Sequence, residues 1–399
     1  MTATTAHPGF GYNGSGGEGE VGVRLMQVPP KLRIAAAGRL MGEHGADPIL
    51  AAQRFLESAV QLRVDLDLMW CTAQEHPGMG GAGGVGDMTH VRQVVLAVIG
   101  SGRTAMLFVS GAERRGKPWP GTAKLRTLAG VALAEAHKER VRLVEHACEQ
   151  VGRTGADGRA RAILAQALLE PRETDGAQAL VAAGFLRLGD LVYMRRPLPR
   201  AGPGRALEEA ADPEWPDGLR VASIASLIQG GHSPERVDAW LSQALERSYI
   251  DTQDCPELCG MRGMADVLES HRAVGVFDPS LWWIVFDRDQ TACACMLLSP
   301  CPEQDSVELV YLGIGPEARG KGLGSKLLAF GLRSLYDKVL SPDEHAGHPR
   351  VSGSGGVTCA VDTRNTPAMK LYRRAGFERF GLRVPFVRSV HCTSGRASA

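Results

Sequence analysis

The sequence predicts an α+β fold on mixed α/β sheets, arranged as two tandem domains, each a mostly antiparallel central sheet flanked by helices. Three observations lead to this prediction. The chain has 399 residues, more than one ordinary hydrophobic core accommodates. Strand-like and helix-like periodicities follow each other in the same order in both halves. Short segments of sequence also recur between the halves.

Each half is predicted to contain a strand, two helices, three strands, a helix, a strand, a helix and a final strand. In the first half these elements are expected at 21–28, 31–42, 49–62, 66–73, 92–99, 104–109, 122–150, 160–169, 175–183 and 190–195. In the second half they are expected at 219–224, 234–247, 262–273, 281–287, 292–298, 307–314, 325–335, 357–362, 366–375 and 383–389. The three central strands of the first half are expected to be consecutive and antiparallel.

The clearest local repeat follows the last predicted helix of each half. Residues 183–189 (AGFLRLG) and 375–381 (AGFERFG) agree at five positions. Two further pairs of segments recur in the same order, which are 172–174 with 364–366, and 113–118 with 317–322. Three echoes in one order indicate an internal duplication.

Composition shifts divide the chain into five parts. We expect a flexible lead at 1–20, a first domain at 21–196, a proline-rich linker at 197–217, a second domain at 218–390 and a flexible tail at 391–399. The glycine-rich residues 78–86 are assigned only to a mobile loop.

Overall composition argues against several classes of protein. A formal net charge of +1 provides no excess of cationic side chains for a nucleic-acid backbone. No apolar run reaches membrane-spanning length, and residues 1–20 lack the basic and apolar regions of a signal peptide. We therefore expect no nucleic-acid or membrane partner.

The nine cysteines are an odd number without the spacing of a small disulfide framework. Reduced thiols in a cytoplasmic protein are the simplest interpretation. Cys255 with Cys259, and Cys293 with Cys295, lack the Cys-x-x-Cys spacing of zinc sites, so we predict no metal. Buried strand positions are favoured for the second pair.

A glycine-rich turn in the second half predicts a phosphate-binding site. Pro316 terminates the predicted strand 307–314, and the predicted helix starts at Ser325. The intervening turn and first helical residue are Arg319, Gly320, Lys321, Gly322, Leu323, Gly324 and Ser325. Glycines allow close approach of the backbone, and the N–H groups at a helix N-terminus point at anions. A turn that serves packing alone is the alternative.

The second half resembles the GNAT family of acetyl-CoA-dependent N-acetyltransferases over about 219–389. Arg319-x-x-Gly322-x-Gly324 resembles the pyrophosphate motif of that family, and the block 365–377 (NTPAMKLYRRAGF) resembles a second family motif. The resemblance implies acetyl-CoA as co-substrate. It also implies that the backbone of Leu312, Gly313 and Ile314 pairs with the pantetheine arm if the strands splay there, and that Asn365 contacts the same arm. The first half resembles the family only in outline.

Two side chains are candidates for proton transfer. Acyl transfer from a thioester to an amine requires a base for the ammonium and benefits from an acid for the leaving thiolate. The resemblance implies Glu308 as the base and Tyr372 as the acid. A solvent-facing strand glutamate and a tyrosine packed beside Phe377 are the alternatives, and Asn365 can also serve as a helix N-cap.

The sequence gives weaker indications of which residues bind the acceptor amine. Asp251, Asp254 and Glu257 form an acidic cluster that could attract a cationic amine, although a solvated loop is the favoured interpretation. His271, Trp282 and Trp283 are candidates for the pocket wall, with core packing favoured for the tryptophans. The polar insert 341–356 is interpreted as a plain loop, with a mobile rim beside the site as the alternative.

The first half departs from the motifs of the second. Residues 115–120 (RGKPWP) lack both later glycines, and the prolines remove amide donors. Alignment of the local repeats places Thr104 at the Glu308 position, Leu180 at the Tyr372 position and Glu173 at the Asn365 position. We therefore expect a degenerate, non-catalytic copy.

The functional prediction is direct transfer of an acetyl group from acetyl-CoA to a primary amine in the second domain. A regulatory module that binds acyl-CoA without turnover is one alternative, and a thiol-pathway synthase built from two tandem copies is another. The expected partner is a small-molecule or peptide amine. Its identity and the oligomeric state stay open.

Overall fold

The computed structural model describes residues 23–42, 47–76, 88–111, 133–155, 157–198, 215, 218–335 and 355–390. The strands, numbered β1 to β13 in chain order, are Val23–Gln27, Met69–His76, Met88–Gly100, Thr104–Val109, Leu164–Leu169, Leu186–Arg187, Leu191–Arg196, Arg220–Ser223, Trp282–Phe286, Ala292–Cys301, Ser306–Ile314, Val357–Asp362 and Glu378–Ser389. The helices, numbered α1 to α9, are Arg33–Met41, Pro48–Gln61, Leu133–Gly152, Thr174–Ala182, Ile224–Gln229, Pro234–Tyr249, Met264–Arg272, Leu323–Leu335 and Thr366–Arg374.

All strands join in one mixed sheet, which confirms the predicted fold class. The order is β1-β2-β3-β4-β5-β13-β7-β12-β11-β10-β9-β8, with the short β6 beside β13. Pairing is antiparallel except for β4 with β5 and β11 with β12. The predicted antiparallel series in the first half is found as β2, β3 and β4.

The duplication is visible in the geometry of the last helix of each half. Helix α4 (Thr174–Ala182) and helix α9 (Thr366–Arg374) have the same length, and each residue of α9 lies 192 positions after its counterpart. Both helices end at a glycine in the left-handed region, with φ of +80° at Gly184 and +81° at Gly376. The predicted repeat therefore reproduces the same helix end twice.

The two halves exchange their last strands. Strand β13 of the second half pairs with β5 of the first, and β7 of the first half pairs with β12 of the second. The exchange is symmetrical. Leu186 pairs with Val387, and their counterparts in the other half, Glu378 and Arg195, pair with each other as well; each counterpart lies 192 positions away. The domain boundary predicted near 196–218 is thus crossed by the hydrogen bonds of the sheet.

Two elements differ from the predicted series. Helix α5 (Ile224–Gln229) follows β8 directly where only a strand end was predicted; Ser223 caps it by accepting a hydrogen bond from the Ser226 N–H. By order along the chain, α5 and α6 correspond to α1 and α2. Helix α7 (Met264–Arg272) is therefore an addition to the second half, and the predicted identical order of elements is wrong at this point.

Several predicted features lie outside the described residues. These are the lead 1–20, the loop 78–86, the turn echo 115–120, the first eleven residues of the predicted helix 122–150, nearly all of the linker 197–217, most of the insert 341–356 and the tail 391–399. In the part of the chain that the structure describes, no helix has the length and apolarity of a membrane span.

The added helix α7 contacts the first half through an ion pair. The Arg103 Nε and Nη2 atoms donate to the Asp266 carboxylate oxygens at 2.8 and 2.7 Å. Beside it, a Cβ on Gly102 would lie 2.0 Å from the Asp266 carbonyl oxygen, so only glycine allows this approach. The β3–β4 turn of the first half therefore packs tightly against α7.

We expect Arg103→Met to lower the free energy of unfolding by about 1 kcal/mol, because the pair is bidentate but its arginine is partly exposed. Hydrogen bonds from Arg103 lower the pKa of Asp266 below its ordinary value. This stabilisation is therefore present near neutral pH and is lost as the pH falls through that lowered pKa. Chemical denaturation at pH 7 and pH 3 measures both effects.

The matched control is Arg161→Met, which removes an ion pair to Asp65 inside the first half with both side chains more than two fifths exposed. We expect a loss of less than about 0.5 kcal/mol for this variant. Equal losses for the two variants, or no coupling between Arg103→Met and Asp266→Asn in a double-mutant cycle, would contradict a specific contact between the halves.

Candidate active site

The strands β11 and β12 open into a wedge. They pair only at Val307 with Val357 and at Glu308 with Thr358. Beyond these pairs β11 continues to Ile314 and β12 to Asp362 without pairing to each other. The main chain of Leu312, Gly313 and Ile314 lies along the open part of β11, where the pantetheine arm was predicted to pair. The predicted splay is therefore present.

The glycine turn and helix α8 lie at the open end of β11. Gly320 and Gly322 have φ of +75° and +76°, a region that L-residues rarely adopt, and a Cβ at either position would meet no atom within 4 Å. The turn residues Gly320, Lys321 and Gly322 are exposed, as is Ser325 in the first turn of the helix. Leu323 anchors the helix start in the core with 1% of its surface exposed. This leaves the first N–H groups of a 13-residue helix available to an anion.

The Arg319 side chain organises the turn from within the protein. Its Nε donates to the Ile314 carbonyl at 2.9 Å, and its Nη2 donates to the Ser248 carbonyl at 2.9 Å. The second bond satisfies a carbonyl in the last turn of α6. Arg319 therefore joins the end of β11 to α6, and its Nε and Nη2 atoms both donate within the protein. Its predicted contact with a cofactor stays a prediction.

Tyr372 lies on α9 and is buried with 7% of its surface exposed, packed beside Phe377 at a ring distance of 5.5 Å. Burial, with the nearby Cys359 and Asp254, raises the pKa of its phenol well above the ordinary value. The hydroxyl is therefore protonated at neutral pH. Packing beside Phe377, the alternative interpretation, is also present.

Asn365 caps helix α9. Its Oδ1 accepts a hydrogen bond from the Ala368 N–H at 3.2 Å, and its side chain also bonds Asp254. Asp254 in turn accepts from the Asp362 N–H at 2.8 Å, and burial raises its pKa. The predicted N-cap is therefore confirmed, and the second role, contact with a cofactor arm, stays a prediction.

Two members of the acidic cluster, Asp254 and Glu257, are tied to residues at the end of β12. Arg364 donates to Glu257 at 2.7 and 2.9 Å and also pairs with Asp362. Burial alone would raise the pKa of Asp362, but hydrogen bonds from Arg364 and the Cys255 N–H hold it below its ordinary value. Asp254 and Glu257 therefore hold a loop in place; they are not free charges for a substrate.

Glu308 faces the side of the sheet opposite to α8 and α9. Its neighbours Val307 and Leu309 pack into the cluster beneath these helices, so alternation turns Glu308 to the other face. It accepts a hydrogen bond from the Thr358 hydroxyl. Burial raises its pKa, and the Thr358 bond opposes that shift. Glu308 is therefore a sheltered carboxylate of increased basicity, which differs from a solvent-facing strand residue.

A cavity of about 700 Å³ opens at Glu308 and Thr358. Its walls include Tyr193 and Arg195 from β7, Phe380 from β13 and the segment after α7. Burial and, as a smaller effect, the Glu308 charge raise the pKa of Tyr193. Residues of both halves thus surround the candidate base. The sequence did not predict that side chains of β7 line this cavity, because no sequence pattern indicates that the two halves exchange strands.

The other acceptor candidates have separate positions. Trp282 and Trp283 are buried in clusters on opposite faces of the sheet, which confirms the packing interpretation. His271 lies 5.6 Å from the Tyr311 ring, and burial, with Arg262, lowers its pKa to about 4. Its Nε2 atom is buried without a hydrogen-bond partner among the described residues.

The equivalent positions of the first half carry no catalytic side chains. Leu180 occupies the Tyr372 position, as predicted. The predicted equivalence of Thr104 and Glu308 is wrong, because Met106 pairs with Gln166 in the same register in which Glu308 pairs with Thr358. Met106 is therefore the equivalent of Glu308. The error arose because the alignment assumed equal spacing from strand to turn. Glu173 accepts a hydrogen bond from the Glu170 N–H at 2.6 Å and does not cap α4 with its side chain.

Comparison with known proteins matches residues 245–377 to the acetyltransferase (GNAT) family. Two relatives are mycothiol acetyltransferases. The one from Beutenbergia cavernae is 29% identical over 50% of this chain and 59% of its own length. The one from Kineococcus radiotolerans is 30% identical over 52% of this chain and 56% of its own length. The chain thus spans somewhat more than half the length of these relatives.

Solved structures also match over most of the chain. A GCN5-related N-acetyltransferase from Sphaerobacter thermophilus has a TM-score of 0.47 and 16% identity, covering 92% of this chain and 96% of its own. A tandem GNAT protein from the clavulanic acid biosynthesis pathway has a TM-score of 0.44 and 15% identity, covering 94% and 100%.

The matched residues 245–377 contain the opened strands, the glycine turn, Glu308 and Tyr372. The family expected from the two sequence motifs is the one that the comparison returns. Residues 245–377 are therefore the part of this chain that matches the acetyltransferase (GNAT) family.

Proposed function

We propose that this protein transfers an acetyl group from acetyl-CoA to a primary amine, with the chemistry in the second half. The observation that carries the proposal is the position of Glu308 and Tyr372. One lies on β11 where the strands part, and the other on the helix that follows β12. A sheltered base and a protonated phenol on the two elements that flank one wedge match the two proton transfers of this reaction.

The binding step rests on the wedge and the turn. The turn amides and the α8 N-terminus would hold the pyrophosphate, with Arg319 fixing the turn. The open main chain of β11 at Leu312 and Gly313 offers hydrogen bonds to the pantetheine arm. Asn365 stands at the opposite side of the wedge. Acetyl-CoA supplies the acyl group as a thioester, and no metal is required for that activation.

The proton steps follow from the two environments. Glu308 takes a proton from the incoming ammonium, directly or through water, because burial has made its carboxylate more basic. Tyr372 donates its phenolic proton to the departing thiolate, because the hydroxyl is protonated at neutral pH and the thiolate becomes a proton acceptor as the thioester bond breaks. Direct attack needs no covalent intermediate on the protein. The first half, which has Met106 and Leu180 at these positions, would be non-catalytic.

A small-molecule amine is favoured over a peptide as the acceptor. The relatives are named for mycothiol, a small molecule, and the cavity at Glu308 has the size of a small-ligand site. The regulatory alternative would use the wedge without the two titrating side chains. The burial of Glu308 and Tyr372 at the wedge favours an enzyme over a regulatory module, which would need neither side chain.

We expect Glu308→Gln to lower kcat about 100-fold or more, because an amide cannot accept the proton. In the parent enzyme the acid limb of the pH–rate profile should follow the raised pKa of Glu308, with activity lost as the pH falls through it. Thr358→Val should move that limb to higher pH, because the Thr358 hydrogen bond lowers the pKa. Stopped-time assays of CoA release across pH 5–9 measure both, with the exposed Glu149→Gln as control. An unmoved acid limb in Thr358→Val would rule out Glu308 as the titrating base.

We expect Tyr372→Phe to lower kcat at least about tenfold with affinity for CoA within twofold, because only the phenolic proton is lost. The aromatic ring and its contact with Phe377 remain, so the midpoint of thermal unfolding should change little. Turnover, calorimetric CoA binding and thermal unfolding are measured on the same preparation. Full turnover in this variant would return Tyr372 to a packing role.

We expect Gly322→Ala to weaken CoA binding about tenfold or more, because the methyl group strains a turn whose amides bind the pyrophosphate. The matched control is Gly231→Ala, since Gly231 also has positive φ, of +89°, and no atom within 4 Å of an added Cβ. Both variants should lose similar stability, on the order of 1 kcal/mol. Calorimetry that finds equal CoA affinity for the two would remove the turn from the binding site.

A further inference from the structure

A row of polar side chains crosses four strands beside the cavity. Ser299 of β10 pairs with Glu308 of β11, Glu308 pairs with Thr358 of β12, and Thr358 pairs with Arg195 of β7. Paired residues of neighbouring strands project from the same face of a sheet. The four side chains therefore form one continuous line, which Glu378 of β13 continues beyond Arg195. Arg195 itself comes from the first half of the chain.

The opposite face confirms the direction of this row. Val307, Cys359 and Met194 each neighbour a member of the row along its own strand, and all three are buried in the cluster that packs under α8 and α9. By alternation, the row faces away from that cluster. Glu308, Thr358 and Arg195 accordingly line the cavity.

Arg195 has unused hydrogen-bonding capacity. Its guanidinium carbon lies 5.7 Å from the centre of the Phe380 ring, and Tyr193 meets the same ring edge-on at 6.1 Å. The side chain is exposed and forms no ion pair with any residue that the structure describes. An arginine oriented by an aromatic ring keeps its planar set of N–H donors for oxygen atoms of a ligand.

The first half provides an internal comparison. The same four positions there are Val98, Met106, Gln166 and Val387, paired in the same succession. Three of the four are apolar. The polar row is thus found at the strands around the candidate base and is absent from the equivalent four positions. Arg195 serves the second half although its strand belongs to the first.

The spacing of the row fits a small molecule. Adjacent strands are about 4.8 Å apart, so the backbones at Glu308 and Arg195 are separated by about 10 Å. An amino group at Glu308 and an oxygen group at Arg195 can belong to one compact ligand. The Ser299 hydroxyl next to Glu308 is fully buried and has no hydrogen-bond partner among the described residues.

We propose that Arg195 is a specificity-determining residue that binds oxygen atoms of the acceptor amine, at the end away from the amino group. The substrate class is then a small primary amine that carries hydroxyl or carboxylate oxygens, in contrast to a plain alkyl amine or a lysine side chain. This inference rests on the proposed acetyl transfer to an amine. It assigns the first half a direct role in substrate binding through the exchanged strand.

The test measures kcat and KM for three primary amines of matched length: an alkyl amine, an amino alcohol and an amino carboxylate. In Arg195→Met, KM for the two oxygen-bearing amines should rise at least about tenfold, with kcat within twofold and no change for the alkyl amine. If the natural acceptor carries a carboxylate, KM should rise more for the amino carboxylate than for the amino alcohol. If it carries a hydroxyl, KM should rise more for the amino alcohol. Arg195→Lys should be intermediate, because lysine keeps the charge without the planar donors.

The matched control is Arg379→Met, because the exposed Arg379 pairs with Met194 and so lies on the opposite face of the sheet. It should leave all constants unchanged. Equal losses for all three amines, or no loss, would overturn the role of Arg195 while leaving the proposed function intact. No acetylation of any amine by the parent enzyme, despite CoA binding, would overturn the proposed function and this inference with it.

Discussion

The structure depends on the main-chain hydrogen bonds that β13 makes on both sides. Its first part pairs with β7 and its second part with β5, and both partners belong to the first half of the chain. The four central strands consequently alternate between the halves as β5, β13, β7 and β12. An unpaired strand edge leaves a row of donors and acceptors open. Exchange closes that edge for both halves at once and produces a single sheet from two copies.

This arrangement separates what a copy must keep from what it can lose. In the first half, β4 and β5 also part beyond the pair Met106 and Gln166, and the helix end at Gly184 is kept. This half has replaced the carboxylate and the phenol by Met106 and Leu180, since neither side chain bears on the pairing. Its β3–β4 turn meanwhile supports α7 through Arg103 and Asp266. The first half thus contributes strands and a supporting turn to the framework around the second half.

The sequence was sufficient for the fold class, the duplication and most elements, because periodicity and helix ends are local properties. Strand β12 and strand β4 have the bounds that were predicted. The motif residues Asn365 and Tyr372 could be placed on α9 for the same reason. The register that puts Met106 opposite Gln166 could not be predicted, since it depends on pairing between distant strands. The contributions of Tyr193 and Arg195 to the cavity were hidden for that reason too.

The exchange also orders events in time. The β5 edge of the first half is completed only when Glu378–Ser389 is available, 193 residues after Arg196 ends β7. At about 5–20 residues per second, ribosomal synthesis takes about 10–40 seconds to cover that distance. During this interval the edge of β5 that β13 will cover has no partner from the second half and is accessible to other strands. Strand mispairing is therefore most accessible during synthesis, and the rate of translation after β7 sets how long the edge of β5 stays unpaired.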